Sequence, residues 1–166
     1  MANNRHKCKY AYRLGGGNPP MLSFKEGASA SFAAGEFVKL VTDSALRRLQ
    51  VCAPSGETEI LGQVQSASTG TAGTEHNVLL AEPSVIFKVN IYHTTAASAV
   101  SAETQLGVTY GLVTSSNKDY CAIDDITTDA MLVVQHDKDQ ATGTQYADVY
   151  VRILPDVYQL TKEKTA

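Results

Sequence analysis

The sequence predicts a mainly β protein: an antiparallel β-sandwich, β-tulip or open barrel of about nine or ten short strands, with an extended N-terminal arm. Three observations predict it. Short apolar runs recur along the chain, and many alternate with polar residues at the period of two that a strand requires. Strong turn chemistry separates them, as in "PSGE" at 54–57, "SSNKD" at 115–119 and "DKDQATGTQ" at 137–145. The composition lacks Trp and is rich in Thr, Ser and Ala, which suits short strands and uncharged loops better than a helical bundle. With 166 residues the chain is one domain, long enough to bury a core.

In order, residues 1–14 form a basic arm. Arg5, Lys7, Lys9 and Arg13 lie there without an acid in residues 1–13, and Tyr10, Tyr12 and Leu14 alternate with small or basic residues. Such a segment adds an edge strand to a sheet, in its own subunit or in a neighbour. Residues 15–35, with three consecutive glycines and two prolines, read as a linker. The body spans 36–158, and 159–166 are a polar tail.

Within the body, 37–41 is apolar at nearly every position, as in a strand buried on both faces. The segment "TDSALRRLQ" offers helical spacing at Leu46 and Leu49, but Leu49, Val51 and Ala53 alternate and the next element follows closely, so a strand is preferred. Residues 59–66 place Ile60, Gly62 and Val64 on one face, with Leu61 and Gln63 on the other. After a loop at 66–74, "NVLLA" leads to a longer strand with Val85, Phe87, Val89 and Ile91 on one side and Ile86, Lys88, Asn90 and Tyr92 on the other. Residues 94–105 form a loop or short helix. "LGVTYGLV", "DYCAI", "AMLVVQH" and "YADVYVRIL" complete the series.

Chemical signatures are sparse. No GxSxG elbow is present, and His6, His76, His93 and His136 are scattered, so no catalytic residues are assigned and no enzyme is expected. The stretch from Asp137 to Asp148 mimics a calcium loop, but Ala141 and Thr142 stand where a ligand and a glycine are needed; it reads as a hairpin. "GGGNPP" lacks the Gly-Lys-Ser/Thr of a phosphate cradle. No metal or cofactor is therefore expected. Cys8, Cys52 and Cys121 are odd in number and widely spaced, which points to buried or free thiols. The chain has no apolar run long enough for a bilayer and no secretory signature. Residues 5–13 interleave base and aromatic like a nucleic-acid-binding arm. The rest is mildly acidic, with Asp124, Asp125, Asp129, Asp137 and Asp139 gathered in 124–139, so nucleic acid is not the expected partner.

From about residue 24 to 158 the order of "AAGEFVKLV", "EILGQV" with Gly62, "NVLLAEPSVIFKVNIY", "LGVTYGLV", "DYCAI" and "YADVYVRIL" resembles the capsid decoration (cement) proteins of tailed bacteriophages. The resemblance implies a structural protein on the outer capsid surface of a virion, made in the host cytoplasm. It would be a homotrimer that stabilises the shell by bridging copies of the major capsid protein lattice. An arm of such a protein contacts the shell or a neighbouring subunit; here that role falls to Arg5, Lys7, Lys9, Tyr10, Tyr12 and Arg13. The alternatives are another virion component, such as a head-tail connector or tail piece, and a carbohydrate-binding module using Tyr92, Tyr110, Tyr120 and Tyr150 in place of Trp.

Overall fold

The computed structural model describes residues 7–43 and 45–160. The described residues form eleven strands: β1 (Lys9–Arg13), β2 (Met21–Lys25), β3 (Phe37–Asp43), β4 (Leu46–Val51), β5 (Gly62–Val64), β6 (Glu75–Leu80), β7 (Val85–Tyr92), β8 (Thr109–Thr114), β9 (Asp119–Ala122), β10 (Met131–His136) and β11 (Asp148–Ile153). Two single-turn 3-10 segments, Ala96–Ser98 and Glu103–Gln105, occupy the stretch read as loop or short helix. Among the described residues no helix is long and apolar enough to cross a membrane.

One sheet has the order β1-β7-β11-β10-β8-β9, and the other β2-β6-β5-β3-β4. The first closes on itself. β7 bonds β11 along one edge, and its other edge is divided, with Val85–Lys88 facing β1 and Asn90–Tyr92 facing β9. The β7–β9 pair is parallel, while the other strand pairs are antiparallel. Five strands thus make a ring, and β1 hangs from it. The second sheet stays open, with β2 and β4 as its edge strands; one isolated bridge joins Glu26, just past β2, to Leu49 of β4. Closure of the first sheet removes strand edges that would otherwise template aggregation.

The alternation read in β7 is the one observed. Val85, Phe87, Val89 and Ile91 join the core, and Lys88 and Tyr92 keep partial exposure on the outer face. Phe87 meets Phe37 of β3 edge-to-face, with ring centroids 5.0 Å apart, so one continuous core spans both sheets. Full burial of each such side chain is worth about 1.5–3 kcal/mol. The segment 46–51 is a strand, paired in register with β3 from Val38–Val51 to Asp43–Leu46. β5 is only three residues long, and both of its faces are covered: Gln63, read as lying on the face opposite Val64, is buried and donates to the carbonyls of Cys8 and Gly35. Cys8, Cys52 and Cys121 are buried free thiols, and burial pushes Cys121 up to about 12.

The stretch expected as a linker contains β2 and contributes Ala30 and Phe32 to the core. β2 is the strand that raises the total to eleven. In the tail, the Gln159 side chain bonds both the N–H and the carbonyl of Leu40, tying it to β3; residues 161–166 lie outside the described residues.

Candidate functional site

The N-terminal segment is woven into its own chain. Of the two options the sequence left open, pairing within the subunit is the one seen: β1 aligns Lys9 with Lys88, Tyr10 with Phe87, Tyr12 with Ile86 and Arg13 with Val85. A bulge between Tyr10 and Tyr12 re-aims the strand, so Tyr10 packs against the core while Tyr12 faces outward. Cys8, just before it, is fully within the core. Among the described residues no strand pairs with the second edge of β1, which leaves backbone N–H and C=O groups for another chain.

The six residues assigned from sequence fare differently. Arg5 lies outside the described residues. Lys7 donates to the carbonyl of Ala34 at 2.9 Å. Lys9 is exposed. Tyr10 is turned inward. Arg13 is held by Glu82 at 3.0 Å, with Ser84 and the Asn18 carbonyl nearby, so it braces the strand against its own body.

Tyr12 gathers partners from elsewhere. Its ring lies 6.1 Å from that of Tyr150 on β11, and the Lys88 ammonium stands 5.7 Å from the Tyr150 centroid. Lys88 is fixed by Asp137 at 2.6 Å and Asp148 at 3.1 Å. Burial works against its charge, but these two carboxylates more than offset that and hold its pKa above the usual lysine value. The outcome is an aromatic pair beside a pinned cation, next to an open strand edge. Leu14, Met21 and Leu22 are exposed just beyond it in the chain. Sequence reasoning assigned neither Lys88 nor Tyr150 to this surface. The signal was present: both interrupt apolar strands on the outward face.

The histidines are not all isolated. His76 Nε2 donates to Glu26 Oε2 at 2.8 Å, and its Nδ1 lies 2.7 Å from Ser66 Oγ. Glu26 also accepts from the Thr69 N–H and hydroxyl and from the Gly70 N–H. Burial pushes its carboxyl up, but these donors more than offset it, and the pKa is lowered. The row has the order of a Ser–His–carboxylate relay. Its evident work is to brace the 66–70 loop beside the isolated Glu26–Leu49 bridge.

Of the four tyrosines considered for carbohydrate binding, Tyr110 and Tyr120 are buried. Tyr92 lines an open cavity of about 420 Å³ with Asp124 and Asp125. Among the described residues no group of three or more His, Cys, Asp or Glu side chains is placed to hold a metal ion. Comparison with known protein families, with curated proteins and with solved structures found no match to this chain.

Proposed function

We propose that this protein is a non-enzymatic virion component that attaches to the outer surface of an assembled phage capsid and stabilises it by bridging capsid subunits, acting as a trimer. One observation carries the reading beyond the resemblance of the sequence. The first sheet closes into a ring, and β1, which hangs from it, offers an open edge flanked by Tyr12, Tyr150 and the exposed Lys9. A second chain pairing there gains directional backbone hydrogen bonds, and the aromatic pair supplies an anchor of the kind that dominates interface energetics. On a repeating lattice, many modest contacts of this type add by multivalency without any deep pocket.

The test is co-sedimentation of purified protein with expanded, empty heads of the phage that encodes it, against free capsid subunits as a control. Saturable binding to heads alone is expected, and Tyr12→Lys should weaken it at least tenfold. Equal binding to free subunits, or none to heads, would overturn the proposal.

A further inference from the structure

A second surface, far along the chain from the N-terminal edge, has the makings of a ligand site. Its floor is built by three strands of the ring: Tyr92 at the end of β7, Val113 on β8 and Ala122 on β9. The 53–57 loop provides a rim through Ser55 and Gly56. That loop is held in place by buried Glu57, which accepts from the Ala53, Thr58 and Glu59 N–H groups and pairs with Lys39 at 2.7 Å. A hydrogen bond from the Thr114 N–H to the Pro54 carbonyl fastens the rim to the ring. The cavity of about 420 Å³ lies within the roughly 300–1,000 Å³ common for small-ligand sites.

The polar wall is preorganised. Asp124 Oδ2 accepts from the Thr94 N–H at 2.8 Å and hydroxyl at 2.7 Å. Asp125 Oδ1 accepts from the Thr127 N–H and hydroxyl and from the Thr128 N–H. Each carboxylate keeps its second oxygen outside these bonds. Burial pushes Asp124 up, but the Thr94 donors and the neighbouring His93 more than offset it, so its pKa is lowered. Asp125 Oδ2 sits where a Cβ on Gly111 would stand, 2.2 Å from that position, so the glycine is what admits the carboxylate.

We propose that this cavity binds a neutral carbohydrate, with the Tyr92 ring against a sugar face and Asp124 and Asp125 accepting hydrogen bonds from vicinal hydroxyls. Adjacent carboxylates are acceptor-only groups, which select a ligand rich in O–H donors and repel phosphates, sialic acids and uronic acids. The Thr94 and Thr127 hydroxyls, whose protons go to these carboxylates, keep lone pairs that accept further sugar O–H groups. The aromatic wall supplies the apolar contact that a pyranose ring offers through its C–H bonds. The site is independent of capsid attachment, and its test needs no shell.

The experiment is saturation-transfer NMR of the full chain with methyl glycosides of glucose, galactose, mannose and N-acetylglucosamine, followed by a glycan array. At least one neutral glycoside should show transfer that survives EDTA. Asp124→Asn and Tyr92→Ala should each lower affinity tenfold or more. Ser55→Glu, on the exposed rim, should abolish binding without touching the folded core. No binding to any glycan, binding unchanged in a folded Ser55→Glu variant, or binding lost on chelation of divalent cations would each overturn direct recognition by these carboxylates.

Discussion

Asp119 shows how one residue links the two sheets. Its carboxylate, on β9 of the ring, accepts from the Thr114 hydroxyl and from the Phe37 N–H at the start of β3 in the other sheet. Burial is the largest influence and pushes its pKa up to about 7 against those two donors. A carboxyl raised in the folded state holds its proton where the unfolded chain has lost it. Stability therefore falls as pH rises from about 4 to about 7, by on the order of 4 kcal/mol. Glu26, Asp124 and Asp137 are shifted the other way, and their contributions are lost only as pH drops below about 4. The melting temperature of the native protein should thus decline between pH 4.5 and 7.5, and Asp119→Asn should flatten that slope. A melting temperature that climbs across this interval would remove Asp119 from the account. The Ser66–His76–Glu26 row makes a separate demand. Glu26→Ala strands the buried His76 donor, while the exposed Thr69 and Gly70 turn to water, and should cost about 1–3 kcal/mol in urea unfolding. A fluorophosphonate probe should leave Ser66 unlabelled, and labelling would give the row a catalytic role.

Among the elements, β5 and β1 are the most exacting. Gly62 of β5 lies so close to β6 that an added Cβ would stand 2.2 Å from the Leu79 carbonyl oxygen, an atom of the paired backbone that cannot swing aside. Gly62→Ala should destabilise by roughly 1–3 kcal/mol through forced displacement of the pair. Gly56→Ala, strained only by its positive φ of 70° with no atom within 4 Å, should cost about 1 kcal/mol. Removal of residues 1–13 takes away Cys8, Tyr10 and the cover on half of one β7 edge. It should lower the melting temperature by several degrees, where a detachable arm would leave it unchanged. The long strands were legible in the sequence because their alternation survives folding, β7 above all. β2 was hidden because "MLSFK" follows two prolines and stays largely exposed, so neither burial nor period marks it. β5 is shorter than the 59–66 read from the sequence, because a strand covered on both faces carries no burial alternation to mark where its pairing stops. The candidate surface was half legible: Tyr12 could be found, but its meeting with Tyr150 and Lys88 depends on two pairings made by β7.

At the scale of the whole molecule, ring closure decides where another chain can attach. Pairing closes the first sheet into a ring and leaves β1, β2 and β4 as edge strands among the described residues; the β1 edge, with its aromatic pair, is the surface best suited to self-association or to a shell. Tyr12→Lys should leave the fold intact, since Tyr12 is more than a third exposed, while shifting the assembly toward smaller species on gel filtration. The most direct test of the central claim is the native mass of the purified protein by multi-angle light scattering. A stable species at three times 17.8 kDa is the predicted result. A monomer of 17.8 kDa at all concentrations would contradict the trimeric shell-bridging account.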